Sequence, residues 1–177
     1  MPTPRYRKNC GNWLELLDLD LLSKSLAGEY YVLLDFRSNI SLAEKCKNVK
    51  NIPGFCKDVS KEKITLRNML SVADVVIGDY RDTFFESALL GVPVYSTAVD
   101  LEDVQSSSNN LAYNLSDIYP FPIVHNSEEL IECFKDNKEY DYTILDEFRQ
   151  KYLVGCDGMQ ANRIREYIDD IMLSDRM

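Results

Sequence analysis

The stretch from Ala73 to Val94 places an acid, Glu86, one turn inside a helix that opens on the polar turn Asp79-Tyr80-Arg81-Asp82. It reads as a buried strand, a sharp turn, a helix and a second buried strand, the unit with which α/β proteins hold a nucleotide where a strand ends and a helix begins. The free backbone N–H groups at such a helix N-terminus suit an anion, and the Glu86 carboxylate can accept hydrogen bonds from a ribose. An ordinary buried crossover with a capped helix would carry the same local pattern. Elsewhere the sequence is poor in reactive side chains. Its one histidine, His125, has no nucleophile or acid tied to it by a known motif and reads as a loop residue. The five cysteines (Cys10, Cys46, Cys56, Cys133 and Cys156) form no C-x-x-C pair, and an odd number suits thiols better than a disulfide framework. Neither a metal nor a cofactor is expected.

The elements that must position this site fit a single folded domain over 1–177. Apolar residues make up 45% of the 177 positions, enough to build a substantial core. The formal charge of −9 is spread along the chain, which argues against general affinity for nucleic acid or an anionic membrane surface. Any phosphate-bearing ligand must then meet a local basic pocket. The longest apolar runs, such as Tyr30 to Leu34, are far too short to cross a bilayer, and no signal peptide stands at Met1, so a cytoplasmic location is expected.

Helical spacing of Trp13, Leu14, Leu17 and Leu21 predicts a helix over Asn12 to Leu26, closed by Gly28. A strand follows over Glu29 to Phe36. Leu66, Met69, Leu70 and Ala73 predict a helix over Ile64 to Val72, followed by a strand over Asp74 to Gly78. Gln105 to Asn110 has the makeup of a polar loop. Asn126 and Glu129 have the spacing of a capping box, and the helix they open carries Leu130, Ile131 and Phe134 on its apolar face. Further helices are expected over Thr143 to Tyr152 and Gly158 to Leu173, the latter with Ile164, Tyr167, Ile168 and Ile171 on one face. Strands alternating with helices predict a parallel sheet covered on both faces and joined by right-handed crossovers. The N-terminus fits less well, because Met1-Pro2-Thr3-Pro4-Arg5 carries two prolines and no β-branched run. The expectation is that the chain begins at the end of a first strand, or that this strand has been cut away.

Taken in order, these residues resemble the CDP-glycerol:poly(glycerophosphate) glycerophosphotransferases, enzymes that prime and polymerise teichoic acids and related capsular polymers. Pro2-Thr3-Pro4-Arg5 is similar to the family's P-T-x-R, and Val32 to Ser38 stands in the place of its L-L-K-x-H-P. Ala73 to Tyr80 resembles A-D-x-x-I-T-D-Y. Phe85-Glu86, Leu89-Leu90, Pro93 and Asp100 follow the family's order, as do Pro122, Glu128-Glu129-Leu130, Phe148, Tyr152, Asp157-Gly158, Ala161 and Arg163. The resemblance covers nearly the whole chain and implies an α/β, Rossmann-like fold, the C-terminal half of a GT-B architecture. It further implies that an N-terminal acceptor domain is missing.

On this resemblance the substrate-binding positions are Arg5, Arg37, Asp79, Arg81, Thr83, Glu86 and Asp100, with no catalytic residue assigned. Glu86 would hold the ribose of a CDP-activated donor, Thr83 and Arg81 would approach the diphosphate, and Arg5 and Arg37 would supply positive charge to the departing phosphate. The acceptor, a polymer or lipid-linked glycan, would be met through the missing domain. The full-length protein would sit peripherally at the inner face of the membrane, and the isolated chain would be inactive. Departures fall where chemistry is expected. The family turn reads D-Y-S-S, whereas here Arg81 and Asp82 replace both serines; an Asp82 carboxylate capping the helix would occupy the N–H groups a diphosphate needs. Arg37 replaces the family's histidine and cannot shuttle a proton near neutral pH. The family's R-G has no clear counterpart in Ser106 to Leu111. Two other readings therefore stand beside donor binding: a degenerate, non-catalytic scaffold of the same fold, and a GT-B sugar transferase domain using UDP.

Overall fold

The computed structural model describes residues 16–37, 51–79, 82–107, 114–135 and 140–174. Its first fully described helix, α1 (Leu19–Leu26), begins later than the apolar spacing predicts; residues 12–15 of the expected helix lie outside the described residues. The Asp18 carboxylate accepts hydrogen bonds from the N–H groups of Asp20 (2.9 Å) and Leu21 (3.1 Å), so it starts a new helix in the middle of the expected one. The Asp18 N–H donates to Ser127 Oγ at 2.6 Å, which ties this junction to a distant part of the chain. Leu22 and Leu26 are buried, and Gly28 (φ 93°) takes the left-handed turn out of the helix at little steric cost.

Strand β1 (Val32–Leu34) pairs in parallel with β2 (Cys56–Asp58), Val32 opposite Cys56. It is shorter than the expected 29–36 because the Phe36 N–H leaves the ladder and donates to Ser60 Oγ at 2.7 Å. Helix α2 (Leu66–Leu70) opens on a reciprocal capping box between Thr65 and Asn68 and buries Met69 and Leu70. Strand β3 (Val76–Gly78), helix α3 (Thr83–Leu90) and strand β4 (Val94–Ser96) form the expected crossover, with β3 parallel to β4. The segment at Ile123 extends this pair through a parallel bridge to Ser96, with Ser96 N–H to Pro122 O at 2.7 Å and Val124 N–H to Ser96 O at 2.8 Å. Helices α4 (Leu101–Ser107) and α5 (Leu115–Ile118) lie between them in sequence.

Helix α6 (Ser127–Lys135) begins on half of the expected capping box. Asn126 Oδ1 accepts the Glu129 N–H at 2.8 Å, but the Glu129 carboxylate reaches past Asn126 to the His125 N–H (2.8 Å) and Nδ1 (2.9 Å). These bonds, the one from the His125 backbone foremost, hold the Glu129 carboxyl below its ordinary pKa. Helix α6 packs against α1, and α7 (Tyr142–Tyr152), capped by Asp141, packs against α3. An aromatic cluster secures the second contact: Phe84 meets Phe121 at 5.3 Å between centroids, Phe121 meets Phe148 at 5.1 Å, and Phe85 meets Phe148 at 5.0 Å. The core thus has one large group around Leu22, Leu34, Phe36, Phe55, Tyr95 and Leu130, and a second around Phe84, Val94, Phe121 and Phe148.

Helix α8 (Gln160–Ser174) forms where its spacing predicts. Its apolar stripe is at helical spacing, yet Ile164 is 60% exposed and Tyr167 69% exposed, with Ile168 and Ile171 exposed too. Periodicity shows which residues share a face but not whether a partner covers it. The start of α8 is held instead by Arg163, whose guanidinium donates to the Asp157 carboxylate at 2.8 Å. That hydrogen bond, the largest of several causes, pushes the Asp157 pKa down to about 2 from the ordinary 3.8.

Because the folded-state pKa of Asp157 lies below its unfolded value, this anchor is in full force above the ordinary carboxylate range and is lost as pH falls through about 2. The protection of the Arg163 amide, whose N–H bonds to Met159 O at 3.1 Å, measured as its exchange rate relative to an unstructured peptide at the same pH, should therefore fall on acidification over that window. Asp157→Asn should show the lower protection at every pH.

Candidate active site

The parallel pairing of β3 with β4 brings two strand ends together at one edge. The Thr97 N–H donates to Gly78 O at 2.6 Å, so the chain leaving β4 lies directly against the last residue of β3. Three polar side chains are buried just beyond β4 or at its end: Ser96, Thr97 and Asp100. Asp79, immediately after β3, is fully buried. Ser96 Oγ accepts the Ala98 N–H at 3.2 Å, and the Asp100 carbonyl accepts the Val104 N–H at 2.9 Å inside α4. Ser96 and Thr97 escape a reading of motifs. Their signal is only that two hydroxyl residues directly follow the buried pair Val94-Tyr95.

Across the turn, Asp82 occupies the N-cap position of α3 but does not cap it. Its backbone is already helical (φ −60°, ψ −24°), and its side chain makes no hydrogen bond to the helix amides. A capping side chain needs the extended backbone seen at Asp18, which swings its oxygen over the next N–H groups. The blocked helix tip expected from an aspartate here is therefore overturned: the exposed Asp82 leaves the first turn of α3 free of a side-chain cap. Phe85 N–H bonds locally to Asp82 O at 3.0 Å, and Ser87 Oγ donates to Thr83 O at 2.8 Å. Thr83 is half-buried and Glu86 is exposed, so the acid points outward from the helix and not into the core.

Arg37 stands after β1 and is committed to a neighbour. Its Nε and Nη2 make a bidentate pair with the Asp35 carboxylate at 2.9 and 2.8 Å, and Nη1 donates to the Ile64 carbonyl. The hydrogen bond it donates to Asp35 raises the guanidinium pKa, and the paired carboxylate offsets its charge. Arg37 is thus paired with Asp35 at the position where the resemblance implies a cation for phosphate. Asp35, Gly78, Thr83 and Thr97 border one cavity of about 930 Å3 that runs between β1 and β3. The structure thus gathers Asp79, Thr83 and Glu86 around the β3–α3 turn, sets Asp100 beyond β4, and holds Arg37 in an ion pair after β1. Arg5 and Arg81 lie outside the described residues. His125, paired with Glu129 at the start of α6, is exposed. Cys56, Cys133 and Cys156 are free thiols, and no cluster of three or more metal-binding side chains occurs among the described residues.

The sequence profile of the CDP-glycerol:poly(glycerophosphate) glycerophosphotransferases matches residues 1–170. The chain belongs to this family. Among curated relatives, the teichoic acid poly(ribitol-phosphate) polymerase of Bacillus spizizenii is 29% identical over 87% of this chain and 24% of its own length. The teichoic acid poly(glycerol phosphate) polymerase of Bacillus subtilis is 31% identical over 79% of this chain and 18% of its own. The fold matches that of a histidine-to-alanine variant of the wall teichoic acid polymerase TagF, with a TM-score of 0.67 at 21% identity over 90% of this chain and 39% of that one. A histidine variant of TagF soaked with CDPG matches with a TM-score of 0.65 at 23% identity, over 94% of this chain and 41% of that one. These neighbours support the α/β fold with parallel strands and a GT-B-like architecture. This chain therefore spans about a quarter of the first curated relative and about two fifths of the structural one. No described helix is long and apolar enough to cross a membrane.

The two N-cap aspartates give a direct comparison. Asp18→Ala, which removes two side-chain hydrogen bonds, should lower stability by about 1 kcal/mol, whereas Asp82→Ala, which removes none, should stay within about 0.5 kcal/mol. Urea unfolding followed by circular dichroism measures both.

Proposed function

We propose that this chain is the donor-binding part of a glycerophosphotransferase for teichoic acid or a related capsular polymer. The observation that carries this reading is the uncapped first turn of α3, with the half-buried Thr83 and the exposed Glu86 beside it. A CDP-activated donor would place its diphosphate at the helix amides, where the partial positive charge of the N-terminus and the Thr83 hydroxyl favour it. Glu86 would accept the ribose hydroxyls. Buried Asp79 and Asp100 would shape the polar floor after β3 and β4, and Arg81 and Arg5 would supply the positive charge that a chain of net charge −9 must concentrate locally. Arg37, bound by Asp35, would act through that ion pair and not as a free cation.

Phosphoryl transfer asks the protein mainly for position and charge. The acceptor hydroxyl, on a polymer or lipid-linked glycan, would come from another part of a longer protein working at the inner face of the membrane. On its own this chain should bind nucleotide weakly and release no CMP from CDP-glycerol. A second reading, a non-catalytic scaffold of the same fold, draws support from the Arg37–Asp35 pair, which neutralises a position where the family resemblance implies a histidine.

Isothermal calorimetry with CDP, CMP and UDP separates them. Donor binding requires heat with the cytidine nucleotides, a weaker response to UDP, and at least a tenfold loss of affinity in Glu86→Ala. A folded chain that binds none of the three belongs to the scaffold reading, and a preference for UDP would assign it to sugar transfer.

A further inference from the structure

Every residue of helix α8 from 161 to 173 is exposed, so no described element packs along it. A helix of this length is marginal in water by itself, and this one still carries an apolar stripe. Ala161, Ile164, Ile168 and Ile171 follow one another at steps of three, four and three, the seam with which one helix packs against another. Tyr167 and Met172 widen the seam, one on each side. Arg163, which anchors the helix start to Asp157 and to the Gly155 carbonyl, lies off that face and leaves it open.

The charges of α8 run against its own dipole. Arg163 and Arg165 stand in the N-terminal half, whereas Glu166, Asp169 and Asp170 stand in the C-terminal half, the reverse of what the helix termini favour. A neighbour of opposite direction relieves both ends. Arg165 and Asp169 also share one flank of the seam, about 40° apart at about 100° per residue. Within a single helix this order, cation four residues before acid, is the weaker form of such a pair. The acids, together with a net charge of −9, disfavour laying the same face on an anionic membrane.

We propose that this face pairs with α8 of a second copy of this chain, the two helices running antiparallel about a two-fold axis level with Glu166. In that register Ala161 of one copy lies opposite Ile171 of the other, and Ile164 opposite Ile168, giving four apolar layers in succession. A two-fold axis across the helices turns the same flank of each toward the other, so Arg165 of each copy meets Asp169 of its neighbour. A parallel pair would set Arg165 against Gln160, with no acid to meet. Half-exposed isoleucine, methionine and tyrosine side chains each leave on the order of 100 Å2 in water, so the large ones on this face hide about 1,000 Å2 in two copies, the lower limit for a specific interface. The dimer is accordingly a weak, reversible one.

Sedimentation equilibrium of the 177-residue chain from about 10 to about 300 μM tests this, with the mean mass expected to climb from 20.4 kDa toward twice that value. Ile168→Asp should weaken association at least about tenfold, with the near-ultraviolet dichroism of the core aromatics unchanged because Ile168 is exposed. Arg165→Asp should weaken it at least about fivefold by setting acid against acid across the pair, and Arg165→Asp combined with Asp169→Arg should return it to within about twofold of the parent. A chain that stays at 20.4 kDa over the whole range overturns the proposal. So does a dimer indifferent to Ile168→Asp or to Arg165→Asp, and so does one in which the double reversal fails to recover what the single reversal loses. Cosedimentation of a monomeric chain with phosphatidylglycerol vesicles, lost in Ile168→Asp, also overturns it by giving the face to a membrane.

Discussion

Register between β3 and β4 governs where the candidate ligand-binding side chains meet. Val76 opposite Val94 and Gly78 opposite Ser96 makes both strands end at one edge, and the Thr97 N–H to Gly78 O bond then closes that edge. A slip of one residue would turn every side chain of β4 to the other face and separate Thr97 and Asp100 from the α3 tip. The register is secured from outside the pair as well. The Tyr140 hydroxyl lies 3.3 Å from Val94 O and 3.4 Å from Val94 N, and Ser96 exchanges backbone hydrogen bonds with the Pro122–Val124 segment. The helix tip and the buried polar residues are therefore positioned by backbone, with side chains added to a fixed frame.

Electrostatics work against that frame as much as for it. The chain is strongly acidic, and two of its cations after β1 and at α8, Arg37 and Arg163, are held by aspartates close by in sequence. Both pairs are exposed, so each fixes a loop more than it stabilises the fold. Among the described residues, what favours an anion at the β3–α3 turn is the helix itself, whose first amides Asp82 leaves unclaimed. The same residue type does opposite things at Asp18 and Asp82 because the backbone is extended at one and helical at the other.

Much of the fold was legible because its signals are local. The alternation of strands and helices, the Thr143–Tyr152 helix and the Asn126 cap all follow from spacing and residue type. What could not be read depends on distant partners or on rotamer. Asp18 looks like a solvent-facing helical residue until Ser127 meets its N–H. Strand β1 looks longer than it is because only the position of Ser60 decides where its ladder stops. The α8 stripe has the pattern of a buried face without being one among the described contacts. In the candidate site, Glu86 and Thr83 were visible from the strand–turn–helix pattern and the family resemblance. Arg37 was visible as a cation but not as a partner of Asp35, although the two are separated only by Phe36.

The two adjacent phenylalanines at the start of α3 reach different anchors. Phe84 sits edge-on to Phe121 and Tyr119, while Phe85 leans on Phe148 and Tyr152. Successive residues on a helix project about 100° apart, so this grip prevents the cylinder from swivelling about its own axis as well as from sliding. The direction in which its exposed acid points is accordingly dictated by the hydrophobic interior and was settled during folding.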